Sequence, residues 1–283
     1  MSCTRHPERR TGLSCVRCER PFCPQCLREA SVGYQCVECV GAAAPTGPRP
    51  PRASAPRPRY GRTVAGATLA AKPVTVAALI VLNVAVFFWT VVQAASLSNN
   101  AVAPLFQAWS LQPTEVAAGQ WWRLFTAGFL HFGPLHLAFN MVALWVIGKE
   151  LEPVLGRVRF LALYLVGLLG GSAAPFLFGS VNSQVAGASG AVFGLMGGLA
   201  VVLRRMKLSA RPALTLIGLN LVLSFVVPDI SILGHLGGLV AGAIGTVVLV
   251  YAPARNRNGW QAGGIAALVV VLLLIMELRA VTL

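Results

Sequence analysis

Residues 187–198 read GASGAVFGLMGG, and Gly190, Gly194 and Gly198 recur in them every four positions. Four residues make about one helical turn, so the three glycines line one stripe of an apolar helix. Small stripes of this kind let transmembrane helices bring their backbones close. A second stripe, Gly238, Gly242 and Gly245, shares a helix face with His235. If the two segments meet through these stripes, Ser189 and His235 come within hydrogen-bond reach. A hydroxyl between glycines is by itself an ordinary packing residue, so the polar surroundings of Ser189 decide its meaning.

The composition places those surroundings in a membrane. The chain has 283 residues, 56% hydrophobic and 11% charged, with a mean hydropathy of +0.70. A span needs roughly 20 apolar residues. Seven candidate spans follow, at about 74–95, 131–149, 157–178, 189–203, 212–227, 235–252 and 261–279. The chain reads as an all-α polytopic membrane protein. No early apolar stretch resembles a cleavable signal peptide. Inverted repeats of the transporter kind are absent from the pattern.

Charge sets the expected topology. The formal net charge is +14, and residues 1–73 hold twelve Lys/Arg against four Asp/Glu, a net of +8. Further basic residues fall between spans two and three (Lys149, Arg157, Arg159), four and five (Arg204, Arg205, Lys207, Arg211) and six and seven (Arg255, Arg257). The alternate loops hold Arg123, Glu115 and Asp229. Basic loops stay in the cytoplasm. The reading is therefore a multi-pass cell-membrane protein with a cytoplasmic N-terminus and the C-terminus outside. The basic tail suits anionic lipid at the bilayer surface better than nucleic acid.

Polar residues inside spans are costly and face a bundle interior or a wet cavity. Here they are His131, His136 and Asn140 around span two, Ser189 opening span four, Asn220 in span five and His235 opening span six. At 1.5 Å per residue, His136, Ser189 and His235 lie roughly 20–24 Å from the inner ends of their helices, and so at similar depth. Span four is too short to cross alone, so residues 181–188 must bring non-helical backbone to membrane depth. Such backbone is tolerated where protein or a water-filled cavity surrounds it. Between spans one and two, about 96–130, Trp109, Trp121 and Trp122 suggest an interfacial segment. His131 reads as structural, and Asn220 as helix–helix glue.

Three ordered segments resemble the rhomboid family of intramembrane serine proteases. WWRLFTAGFLHFGPLHLAFN (121–140) carries a Trp-Arg pair, Trp122 and Arg123, and the His131, His136, Asn140 spacing; GASG (187–190) resembles the nucleophile motif; GHLGGLVAG (234–242) resembles the His-x2-Gly-x3-Gly motif. Glu152 matches the acidic residue after span two. The resemblance implies a six-helix bundle plus one C-terminal helix, and a serine endopeptidase cleaving transmembrane protein substrates. It assigns Ser189 as nucleophile and His235 as general base, with an oxyanion site from His136, Asn140 and the Ser189 backbone N–H. Phe193 stands where many bacterial members carry Tyr, which keeps a ring for His235 but removes a hydroxyl. The competing function is a non-catalytic rhomboid-like protein that binds and regulates other membrane proteins; such relatives typically lack the Ser or the His.

All seven cysteines fall within the first 39 residues. Cys3/His6, Cys15/Cys18, Cys23/Cys26 and Cys36/Cys39 form four pairs with a two-residue gap. Eight ligands suit two structural zinc ions of four ligands each. The odd cysteine count and cytoplasmic placement argue against disulfides. Residues 1–40 resemble a B-box-type zinc finger, which implies interleaved pairing and a cytoplasmic protein partner; sequential pairing is the alternative. Residues 41–73 read as a disordered Pro/Arg-rich linker, and 74–283 as the membrane domain.

Overall fold

The computed structural model describes residues 1–30, 33–41, 62–68, 72–226 and 231–283. Most of the expected linker, and Asp229, lie outside the described residues. The chain divides into two compact units, Met1–Arg59 and Tyr60–Leu283.

The first unit is a cysteine knuckle. Strands β1 (Leu27–Glu29) and β2 (Tyr34–Cys36) pair antiparallel, and helix α1 (Val37–Gly41) follows. Its core consists of Phe22, Leu27 and the cysteines themselves. So small an apolar core cannot balance the conformational entropy of ordering the chain, which calls for cross-links or metal.

The second unit is helical. Its first long helix is α2 (Val74–Ala94). Short helices α3 (Pro104–Trp109), α4 (Pro113–Ala117) and α5 (Arg123–Thr126) follow. Then come α6 (Gly133–Leu155), α7 (Arg157–Phe178), α8 (Ser189–Arg205), α9 (Arg211–Val226), α10 (Ile232–Tyr251) and α11 (Arg257–Ala280). Among the described residues seven long helices, α2 and α6 to α11, follow the order of the seven apolar runs. Four of them, α2, α7, α10 and α11, are long and apolar enough to cross a membrane alone. The bent pair Arg123–Phe129 and Gly133–Leu155, which meet at 93°, passes the same test only when taken together, as a broken span or a re-entrant loop. The 17 residues of α8 and 16 of α9 are shorter.

Span two runs six residues past the expected 149, because Glu150 and Glu152 need not leave the helix. Buried Glu152 accepts from Thr75 N and Val76 N, both at 2.9 Å. A carboxylate from α6 thus caps the first turn of α2, where unpaired N–H groups and the positive dipole end favour an anion.

The 96–130 connection is a folded layer built on Arg123. Its Nη1 donates to Gln107 O (2.6 Å) and Ser110 O (2.8 Å), and its Nε to Gln120 Oε1 (2.8 Å). Leu111, Val116 and Leu124 are buried against Leu169, Ala173 and Phe176 of α7. A guanidinium with five fixed donors suits this work, gathering two carbonyls at the C-terminal end of α3 and the Gln120 side chain just before α5.

Helices α7, α8 and α10 form the tightest packing. A Cβ on Gly194 would lie 2.7 Å from Gly167 Cα and 3.1 Å from Gly238 O, and one on Gly171 2.7 Å from Gly190 Cα. Gly190, Gly194, Gly238 and Gly242 are therefore buried against backbone, whereas Gly198 and Gly245, at the far ends of the stripes, meet side chains.

Replacing Glu152 with Ala should leave two N–H groups at the start of α2 without their acceptors. The expected loss is about 1–3 kcal/mol, read as a lowered unfolding midpoint in detergent. Glu152→Gln, with one acceptor oxygen left, should fall between. An unchanged midpoint in Glu152→Ala would show that the cap carries no stability.

Candidate active site and metal clusters

Ser189 is the first residue of α8, and the segment before it is held by backbone pairing. Leu111 and Val185 exchange both N–H···O bonds at 2.9 Å, Gln184 Nε2 donates to Ser110 Oγ at 2.8 Å, and Gly187 N donates to Ala127 O at 2.9 Å. Gly187 has φ of +134°, and a Cβ there would sit 2.8 Å from His136 Cε1, so only glycine fits. Ala188 N donates to Nε2 of fully buried His131 at 3.5 Å. His131 is structural, as its position at the mouth of α6 suggests, and its particular task is to hold the chain one residue before Ser189.

His136 comes to the same place. Phe132 N donates to His136 Nδ1 at 3.3 Å, so in the neutral ring the proton sits on Nε2. The position of a Cβ on Gly187 lies 2.9 Å from that Nε2 and 3.7 Å from Ser189 Oγ. An N–H donor and a hydroxyl thus flank one point. Asn140, one turn further along α6, donates through Nδ2 to His136 O at 2.9 Å. That bond leaves its amide one further N–H.

A cavity of about 40 Å³ for water centres is lined by His136, Gly187, Ser189, Gly190, Ser231 and Gly234 among others. One water centre needs roughly 10–15 Å³, so the site admits water at membrane depth. Ser231 caps α10, accepting from Gly234 N at 3.1 Å, and this cap fixes where His235 begins.

His235 is buried and stacks on Phe193 with centroids 4.1 Å apart and planes 13° apart. The ring at position 193 thus packs on the imidazole without a hydroxyl. Among the described residues no hydrogen bond joins Ser189 to His235. Bonds of this type are often long before substrate enters. The Nδ1 of His235 instead lies 2.6 Å from Ser224 Oγ, a contact that no motif or periodicity of the sequence announces. Asn220 does not bridge helices: its amide turns back to Leu216 O of α9.

In the N-terminal unit two ligand groups assemble, Cys3/His6/Cys23/Cys26 and Cys15/Cys18/Cys36/Cys39, each with its donor atoms within 4.8 Å of one another. Pairs one and three group together, as do two and four, so the arrangement is interleaved. All seven cysteines are free. Burial raises the Cys15 thiol, but N–H groups of Cys36 and Arg17 outweigh it and bring it down to about 6. Cys18 of the same cluster is also lowered, chiefly by the Arg20 backbone N–H, but other ligands move the opposite way. Cys39 rises to about 12, chiefly through Cys36, and in the other cluster Cys26 rises to about 11 through burial and Cys23. Four sulfurs this close cannot all ionise without a cation among them, and a metal ion supplies one.

Residues 118–252 match the Rhomboid domain family. The chain is 38% identical over 183 residues to "Rhomboid protease GluP" of Bacillus subtilis (strain 168), covering 63% of this chain and 35% of that protein. To "RHOMBOID-like protein 4" of Arabidopsis thaliana it is 36% identical over 152 residues, 51% of this chain and 37% of that one. To "Rhomboid protease AarA" of Providencia stuartii it is 29% identical over 209 residues, 63% and 73% respectively. The chain thus spans about a third of the first of these relatives.

Elemental analysis of the full chain purified without chelator should return about two divalent ions, one for each cluster. Cys23→Ser and Cys36→Ser should each remove about one, since a structural site needs four ligands. Two ions retained in either variant would detach these residues from the metal.

Proposed function

We propose that this chain, whose residues 118–252 match the Rhomboid domain family, is an intramembrane serine endopeptidase of that family acting on transmembrane protein substrates. The observation that carries this reading is the start of α8. There Ser189, the Nε2 of His136 and a water-sized cavity share one spot, beside the α10 start that bears His235.

The chemistry follows from those groups. Ser189 Oγ attacks a peptide carbonyl carbon, and His235 Nε2 takes its proton, because a free hydroxyl is a weak nucleophile. The C=O π pair moves to oxygen. The resulting oxyanion meets the Ser189 backbone N–H, the His136 Nε2–H and the second N–H of Asn140. Ser189 N is among the first helix donors, which have no partner within α8, and the helix dipole adds positive potential. Collapse breaks the C–N bond, and His235 returns the proton to the leaving nitrogen. Water from the cavity then attacks the acyl carbon as His235 takes its proton; the second collapse breaks the bond from that carbon to Ser189 Oγ, releases the carboxylic acid and returns the proton from His235 to the serine oxygen.

The metal in each N-terminal cluster is proposed to be zinc, with a structural role. A tetrahedron with Zn–S of about 2.3 Å and Zn–N of about 2.05 Å has S···S edges near 3.8 Å and S···N edges near 3.6 Å. Cys18 and Cys36 sulfurs lie 3.8 Å apart, those of Cys23 and Cys26 3.9 Å, and His6 Nδ1 lies 3.4–3.9 Å from its three cysteines. All eight donors are consumed, leaving no open position for catalysis. The unit would serve to recruit a cytoplasmic protein. The alternation of basic loops supports a cytoplasmic N-terminus with the C-terminus outside.

With the full chain in proteoliposomes and a single-span substrate, Ser189→Ala and His235→Ala should each abolish cleavage without loss of fold. His136→Ala and Asn140→Ala should slow it about 100- to 1,000-fold. Cleavage surviving in Ser189→Ala would reject Ser189 as the nucleophile, and absence of cleavage by the unmodified chain would favour a binding role.

Topology has its own measurement. A Thr282→Cys residue, in an otherwise cysteine-free membrane domain, should react with an impermeant maleimide added to intact cells. Labelling only after lysis would reverse the orientation of α11.

A further inference from the structure

Ser224 sits near the end of α9, 4% exposed, with its Oγ 2.6 Å from His235 Nδ1 and 2.7 Å from Asn220 O one turn back. A hydroxyl has one proton to give and two lone pairs to offer. The Asn220 carbonyl can only accept, so Ser224 donates to it. The Ser224 oxygen then accepts from His235 Nδ1–H. No other assignment puts a proton on both short contacts. A neutral imidazole protonated at Nδ1 carries its lone pair on Nε2.

We infer that Ser224 is a positioning residue for His235: the relay His235 Nδ1–H to Ser224 Oγ–H to Asn220 O holds the ring in the tautomer whose Nε2 can take a proton. This rests on the reading of His235 as general base. The ring is fixed twice over, its face by Phe193 of α8 and its edge by Ser224 of α9. Triads built on Ser, His and Asp give this orienting task to a carboxylate, and loss of the correct tautomer is what makes that member matter. A hydroxyl does it without bringing a charge into a span, where charge is costly. Aligned only with its own backbone, Ser224 would be one more serine bonded to the carbonyl four residues back. The second contact, to the imidazole of another helix, is what such back-bonding leaves unexplained. The relay also ties the tautomer to α9 itself, since the terminal acceptor is a carbonyl of that helix.

The test uses the full chain in lipid nanodiscs with ¹⁵N-labelled histidine. The chain has four histidines, and His235→Ala assigns the relevant pair of ring signals. The expected spectrum of the unmodified protein at neutral pH has His235 protonated on Nδ1 and bare on Nε2. Ser224→Ala should move a large share of the ring to the Nε2–H tautomer. It should also lower kcat about 10- to 100-fold, a part of the roughly 10²–10⁴ that a general base supplies, with KM unchanged. Ser224→Thr keeps the hydroxyl and should restore both tautomer and kcat, which separates the relay from packing even if Ser224→Ala folds poorly. A proton on Nε2 in the unmodified protein, or a tautomer and kcat unmoved by Ser224→Ala, overturns the inference. Cleavage that survives His235→Ala would instead strike the base assignment, while the spectrum still judges the relay.

Discussion

Backbone-to-backbone approach of α7, α8 and α10 is the constraint on which the rest of the membrane unit depends. Lipid tails offer helices no hydrophobic reason to associate, so close van der Waals contact must supply it. Gly167 and Gly171 of α7 meet Gly194 and Gly190 of α8, and Gly238 of α10 faces both Gly190 and Gly194. Any side chain at these places would push the three helices apart. The same contacts set the relative heights of Ser189 and His235, each within four residues of the start of its helix. The stripe that reads as mere packing and the pair that reads as chemistry are therefore one feature.

A second constraint follows from the first. Because α8 begins inside the protein at Ser189, the chain must arrive there without a helix, and its polar backbone must be satisfied at membrane depth. The folded 96–130 layer does this. Leu111 pairs with Val185, Ala127 O takes Gly187 N, and the layer is itself gathered by Arg123. From the α6 side, Asn100 holds the bend: it donates to His131 O and accepts from Gly133 N at 2.9 and 3.0 Å. His131 then reaches Ala188. A continuous set of hydrogen bonds runs from Thr90 near the end of α2, through Asn100 and His131, to Ala188, the residue before Ser189.

Sequence reasoning reached those parts of the fold that repeat. Apolar runs, glycine at every fourth position and the Cys-x2-Cys pairs all have a period or a spacing, and the helices, the close glycine contacts and the cysteine clusters follow from them. The parts it missed are single contacts between residues far apart in the chain. Nothing in "ELEPVLG" says that Glu152 meets the N-terminus of a helix 76 positions earlier. Asn100 is one polar residue in a loop, and Ser224 is one serine in an apolar helix. Asn220 drew attention because an amide in a span is conspicuous, yet the smaller Ser224 one turn on makes the contact with His235. The 96–130 stretch read as interfacial because it is aromatic; what organises it is the guanidinium of Arg123, which charge counting treats only as a topology signal. The pairing of the candidate metal ligands is open in the sequence for a related reason, since sequential and interleaved sets have identical spacing and differ only in three dimensions.

The two units handle charge in opposite ways, and the contrast explains the form of the site. Among the described residues every ion pair lies in the N-terminal unit, as in Arg20 with Glu38 at 2.7 Å. There, water screens the charges and crowded thiolates call for a cation. In the membrane unit the buried ionisable groups are held by neutral partners: Glu152 by two backbone N–H groups, Arg123 by two carbonyls and an amide oxygen, His235 by a hydroxyl. An ion pair at such a depth would have to repay the desolvation of two charges, whereas dipoles satisfy one charge and remain neutral if it is lost. In the role proposed for His235, a base that must gain and then lose a proton during each turnover benefits from that neutrality. A carboxylate beside His235 would stabilise the imidazolium more strongly, but would remain a buried charge whenever the ring was neutral. A serine avoids that cost and still fixes the ring, at the expense of a weaker hold on the protonated form.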